Sequence, residues 1–283
     1  MGTAFDPSPR PNPIGGVGLS RQMQASWAFV ERNFFLVRRY WGWEIAFIIY
    51  NITTSLSIVY IGKAQQIEGQ DLILYLGIGT LVWSYLHAVF TNISEMISWE
   101  RWEGTIEYTM MAPISRLTHM LGVSLFSILY GLVRSVILFF VLAMFFDINL
   151  SNANLVGALT LMLVGSLSFV GVGIMAAVLP LLFTERGEAM TFIISSVLLL
   201  VSGVYYPIDV LPGWMQMIGQ FSPATYVLEG MRATILEGES TSNLWQFLIP
   251  MMIIGLLTIP MGMFVFNTVE KFAKRTGRLK RSG

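Results

Sequence analysis

Apolar stretches about one membrane thickness long recur along the 283-residue chain, separated by short polar segments. A hydrocarbon core about 30 Å thick takes roughly 20 helical residues to cross. Segments near 44 to 61, 72 to 91, 119 to 146, 154 to 180, 189 to 206 and 245 to 268 meet that length, and the pattern predicts six transmembrane helices. The stretch 207 to 243 is apolar in part, but Pro207, Pro212, Gly213, Pro223 and Gly230 break it. Two short helices dipping into the outer leaflet are expected there, shielded by protein because unpaired backbone is costly in lipid.

Ahead of the first span, Met23, Trp27, Val30, Phe34 and Val37 fall on one helical stripe, with Arg21, Arg32 and Arg39 opposite. This periodicity predicts an interfacial helix over residues 20 to 40, bases toward anionic headgroups and apolar side chains in the acyl boundary. An amphipathic helix packed on protein has the same pattern. Residues 1 to 19, rich in proline and glycine and without an apolar run, are expected to be a disordered cytoplasmic N-terminus rather than a cleavable signal. The six-helix domain is expected over 41 to 268, with a basic tail over 269 to 283.

Composition agrees with an all-α integral membrane protein. Hydrophobic residues make up 54% of the chain and charged residues only 12%, about half the usual share for a globular domain. Basic residues set the orientation, since basic loops stay on the cytoplasmic side. With both termini inside, Arg10, Arg21, Arg32, Arg38, Arg39, Arg101, Arg116, Arg186, Lys271, Lys274, Arg275, Arg278, Lys280 and Arg281 are cytoplasmic, which is 14 of the 17 bases. Lys63 and Arg232 fall outside, and Arg134 lies within a span. The expected location is a cell membrane crossed several times.

The chain has no cysteine and two histidines, His87 and His119, which argues against thiolate chemistry and a histidine-rich metal site. No GxxxxGK[ST] phosphate loop is present, and Gly15, Gly16 and Gly18 lack the lysine that a nucleotide site needs. GxSxG, HExxH and paired carboxylates within the spans are also missing. The charge layout does not suit nucleic acid.

Charge and aromatics concentrate between spans two and three, from Trp99 to Glu107 and on through Ala112-Pro113-Ile114-Ser115-Arg116. Read as a helix over about 95 to 110, this segment aligns Glu100, Glu103 and Glu107, with Trp99, Ile106 and Met110 on a neighbouring stripe. A cytoplasmic acidic lever and a merely solvated helical loop both fit. Arg134 is costly at bilayer depth unless paired or hydrated. It is expected to face a dimer interface or substrate route, or else to pair with a carboxylate or carbonyls. Asn51, Thr54 and Ser55 share a face of span one, and Gly165, Gly171 and Gly173 line span four, both consistent with close helix packing. Trp41, Trp43, Tyr205, Tyr206 and Trp214 suit interfacial belts. Asn149 begins an external glycosylation-like tripeptide.

The run Glu100-Arg101-x-x-Gly104-Thr105-Ile106-Glu107, followed by Ala112 to Arg116, resembles the cytoplasmic signature of type 2 ABC exporter permeases. A second run is similar to the same family's external re-entrant region over about 207 to 235: Tyr206-Pro207-Ile208-Asp209-Val210-Leu211-Pro212-Gly213-Trp214, then Ser222-Pro223-Ala224-Thr225-Tyr226 and Glu229-Gly230-Met231-Arg232. The likeness spans nearly the whole chain, and daunorubicin-type drug exporter permeases look most alike. Tyr108-Thr109-Met110-Met111 departs from the leucine-rich residues more usual there.

The resemblance implies a dimer of permeases, most simply a homodimer, each docked to a separate cytoplasmic ABC ATPase that holds ATP and Mg. This chain would bind no cofactor of its own. Glu100, Arg101, Gly104, Thr105 and Glu107 are the implied ATPase-coupling residues, and Pro207, Pro212, Trp214, Pro223, Glu229 and Arg232 mark the external region. A hydrophobic or amphiphilic small molecule, drug or lipid, is the expected substrate. A permease for a lipid-linked saccharide shares the same physics. An autonomous carrier would need an inverted repeat and midplane carboxylates, and an intramembrane hydrolase a nucleophile and base at one depth.

Overall fold

The computed structural model describes residues 18–65, 72–146, 153–183 and 185–277. The expected N-terminal region up to residue 17, Asn149, and the tail bases Arg278, Lys280 and Arg281 lie outside the described residues. Eleven α-helices form among the described residues, and no strand. They are α1 (Leu19–Arg39), α2 (Trp41–Ala64), α3 (Leu72–Trp102), α4 (Ile106–Met111), α5 (Arg116–Phe145), α6 (Leu155–Ala176), α7 (Val178–Leu182), α8 (Gly187–Val201), α9 (Gly213–Gln220), α10 (Pro223–Leu236) and α11 (Trp245–Arg275).

Among the described residues, five segments are long and apolar enough to cross a membrane: α2, α3, α5, α6 continued through α7, and α11. The expected fifth span, 189 to 206, is shorter than its hydropathy suggests. Its helix α8 has 15 residues, or about 22 Å at 1.5 Å per residue. It ends because Ser202 caps it and Gly203 takes φ +67°, the left-handed conformation that closes helices. The chain then passes through a 3-10 turn at Ile208–Val210 into α9 and α10, the two short helices of the proline-broken stretch.

Helices α3 and α6 are the buried centre, whereas α2, α5 and α11 turn apolar faces outward, among them Phe47, Phe140, Met144, Leu256 and Phe264. Such faces suit hydrocarbon, because every helical backbone group is already paired internally. The most extensive helix contact joins α6 and α11. A Cβ on Gly171 would lie 2.6 Å from the Thr258 backbone carbon, so only glycine permits this approach. The Ser168 hydroxyl donates to the Met251 carbonyl at 2.6 Å across the same seam. Small residues at helix contacts allow such close packing in lipid.

Hydroxyls and one imidazole stitch α3 to its other neighbours. Ser84 donates to Asn51 of α2 at 3.1 Å. Ser94 meets Thr191 of α8 at 2.9 Å, and His87 Nδ1 lies 2.6 Å from Ser195 Oγ. Asn51 therefore serves a helix contact.

The N-terminal helix α1 packs on the bundle along part of its stripe. Val30 and Asn33 are buried against the bundle, and Ser26 donates to the Thr118 carbonyl of α5 at 3.0 Å. Met23, Trp27 and Phe34 on the same stripe remain exposed.

The predicted helix over 95 to 110 is replaced by two helices at an angle. Residues 95 to 102 belong to α3, which runs eleven residues past the expected end of span two. Gly104, at φ +73°, then turns the chain, with its N–H donating to Arg101 O at 3.2 Å and the Thr105 N–H to Glu100 O at 2.9 Å. This pair of bonds is the Schellman closure, which places glycine just past a helix end. The short helix α4 follows, and Ala112, extended before Pro113, ends it. Ser115 starts α5 by accepting the Thr118 N–H at 3.0 Å.

Candidate coupling site at the basic end of the bundle

The turn after α3 lies at the end of the bundle that gathers Arg32, Arg101, Arg116 and Lys274. Its base is fixed from three sides. Glu100 is 2% exposed, with Oε1 2.5 Å from Arg32 Nη2 of α1 and 3.0 Å from His119 Nε2 of α5. Phe29 completes the contact: its ring packs on His119 at 4.6 Å, and the Arg32 guanidinium lies 4.9 Å above it. Arg101, also buried, donates to the Leu181 carbonyl of α7 at 3.0 Å. Thr105 donates through its hydroxyl to Glu100 O at 3.3 Å.

The far end of the turn is clamped by a second group. Arg116 donates to the Thr109 and Met110 carbonyls at 2.9 and 2.5 Å, satisfying the open C-terminal end of α4. Its Nε meets Glu270 Oε1 of α11 at 3.0 Å. Lys274 Nζ lies 2.6 Å from the same oxygen and 3.3 Å from Met110 O. Glu270 is 5% exposed. Removing one partner of a buried ion pair typically costs about 3–5 kcal/mol, because the other charge is left without compensation.

Between these anchors the turn and α4 bury Ile106, Thr109 and Met110 and expose Trp102, Glu103, Glu107, Tyr108 and Met111. Tyr108 and Met111 are 73% and 72% exposed. The end of α3, the turn and α4 thus together present two carboxylates beside three large apolar side chains. Exposed aromatic and methionine side chains on a fixed backbone are typical of protein interface anchors.

The sequence-predicted carboxylates divide. Glu103 and Glu107 are exposed, but Glu100 faces inward and is taken up by Arg32 and His119, so it does not join them on an outward acidic face. Arg32 and His119 draw Glu100 inward from α1 and α5, and the positive-φ bend at Gly104 separates it from Glu107 on α4. Sequence gives Arg116 a place only in the family signature, sets Arg32 toward headgroups, and assigns His119, Glu270 and Lys274 no part in this site. Only the Glu270–Lys274 spacing, four apart on one helix, carries a local signal.

At the opposite end, Arg232 of α10 donates to Gly203 O at 3.2 Å and Val204 O at 2.8 Å, its guanidinium 3.6 Å from the Tyr75 ring centre. It pins α10 to the end of α8 and the start of α3. Pro207 and Pro212 precede the 3-10 turn and α9, and Pro223 occupies the first turn of α10, where a missing N–H costs nothing. Trp214 and Glu229 are exposed. Within the spans, Arg134 Nε lies 3.8 Å from Glu44 Oε1 of α2 and its guanidinium 5.6 Å from the Tyr130 ring, so it has a carboxylate partner.

A family model described as ABC-2 type transporter matches residues 24–236, from α1 through α10. The chain belongs to the ABC-2 type transporter family. A comparison with curated proteins gives no match. Membership makes this ABC-2 chain a multi-pass membrane permease component of an ABC transporter, distinct from the ATPase, and implies association with an ABC ATPase partner. The match includes both anchored ends of the bundle, but stops before α11, which supplies Glu270 and Lys274.

Proposed function

We propose that this ABC-2 permease exports a hydrophobic or amphiphilic small molecule, a drug or a lipid, and that α4 with the turn before it is the surface on which its ATPase docks. The observation that carries the reading is the exposed set Trp102, Glu103, Glu107, Tyr108 and Met111 on a backbone held at both ends by buried ion pairs. Exposed carboxylates suit bases on a partner, while the aromatic and thioether groups suit a groove. Glu100 and Arg101 act as the fixed root, Gly104 and Thr105 form the bend, and Glu107 contacts the partner.

In this reading the basic end is cytoplasmic, both termini lie there, and the membrane is the cell membrane. Two copies of the chain pair to enclose the route, α8 with α9 and α10 completes a sixth crossing that re-enters from outside, and ATP with its Mg stays in the partner. Nucleotide-driven closure of the ATPase pair pushes α4, and the bistable packing of the two permeases converts this into opening on the other side. The daunorubicin-type likeness and the apolar outward faces of α2 and α5 favour an amphiphile over a sugar chain.

Inverted vesicles carrying the chain and its co-purifying ATPase test the transport reading. ATP should drive uptake of an amphiphilic fluorescent dye, and a vesicle lacking this chain should show none. Equal uptake with and without the chain would overturn it.

A further inference from the structure

We infer that Glu270 is a positioning residue that locks α4 to the C-terminal end of α11, so that a push on the docking surface moves the last span directly. The inference rests on the docking reading above and extends it to a residue outside the matched family region.

One carboxylate oxygen of Glu270 takes both Arg116 Nε and Lys274 Nζ, at 3.0 and 2.6 Å. Both bases also hold the Met110 carbonyl at the end of α4, at 2.5 and 3.3 Å. The chain therefore closes a small polar ring through α4, α5 and α11, with a buried carboxylate as its hub. Arg116 alone would cap α4 but leave α11 free of it. Lys274 is half-exposed and gains a fixed direction from Glu270 one turn earlier on its own helix. From there α11 runs back through the bundle along its glycine-tight seam with α6, at Gly171 and Gly262. A displacement of α4 thus has a stiff route into the centre of the membrane domain. The arrangement differs from the Glu100 group, which ties the root of the turn to α1 and α5 but makes no ion pair with α11.

The absence of cysteine allows clean pairwise labelling. Spin labels at Pro113→Cys, just past α4, and Lys271→Cys on α11, both exposed positions outside the docking set, report the relevant distance in the complete complex with its ATPase. The distance distribution should stay the same between nucleotide-free and vanadate-trapped states. In Glu270→Gln it should broaden or shift on trapping, with transport per ATP falling at least tenfold while the ATPase still co-purifies, and Glu270→Asp should restore part of both. A nucleotide-dependent shift in the otherwise native chain would overturn the inference, as would transport per ATP within twofold of native in Glu270→Gln. The labelled native chain decides the matter even where Glu270→Gln fails to fold. Loss of ATPase association on substituting Tyr108 tests the docking reading separately, so the two can fail independently.

Discussion

Arg32 on the N-terminal helix and Glu100 near the end of α3 lie 2.5 Å apart, joining the amphipathic helix to the root of the turn before α4. His119 shares the same carboxylate oxygen. Replacing Glu100 with Gln leaves two bases facing a neutral amide. Arg32, 31% exposed, can turn to water, so the expected cost is that of a hydrogen bond to a charged group, about 1.5–3 kcal/mol. Thermal unfolding of the purified chain in detergent should show a lower midpoint for Glu100→Gln, and the ATPase should still bind.

Gly104 has φ +73°, where a Cβ costs about 1–2 kcal/mol. Gly104→Ala is expected to weaken the bend and lower transport per ATP, with Gly104→Asn intermediate, since asparagine tolerates this region. Dye uptake measured alongside ATP turnover in vesicles checks the order of the three.

Arg134 and Glu44 form a pair whose side chains are each about one-fifth exposed, 3.8 Å apart between α5 and α2. Either single change leaves a charge at membrane depth, so Arg134→Gln and Glu44→Gln should each destabilise more than half as much as the double change. A double-mutant cycle on thermal stability is expected to give a coupling of about 0.5–1 kcal/mol, as for partly exposed pairs. Additive effects would remove the pair.

Gly171→Val should prevent the α6–α11 seam from closing, at a cost of about 3 kcal/mol or more. Little monodisperse protein is expected from it on size-exclusion chromatography, while Gly42→Ala, where a Cβ meets nothing within 4 Å, should behave as native.

Much of the fold was legible because hydropathy reports lipid exposure. The spans α2, α5 and α11 are apolar runs long enough to cross a bilayer, and the proline-broken stretch formed the two short helices of its pattern. The lower half of α3 was not. Asn92, Ser94, Glu95, Ser98, Glu100 and Arg101 make it read as the start of a new, solvated helix. Their partners come from distant segments: Thr191 for Ser94, Arg32 and His119 for Glu100, the Leu181 carbonyl for Arg101. Hydropathy scores a polar residue without knowing whether tertiary structure has satisfied it. Nor was the bend at Gly104, which divides the expected helix over 95 to 110 and is held by partners distant in sequence: Arg32 and His119 at Glu100, and Arg116 with Glu270 at the end of α4.

The most direct measurement is co-purification of the ATPase with the tagged chain carrying Glu107→Arg and Tyr108→Ala, singly and together. Loss of an interface anchor costs about 2 kcal/mol, roughly 30-fold in affinity. The account predicts that the combined variant keeps its thermal stability but no longer retains the ATPase or supports ATP turnover in the complex. Retention of the ATPase at native levels, with turnover unchanged, would contradict it.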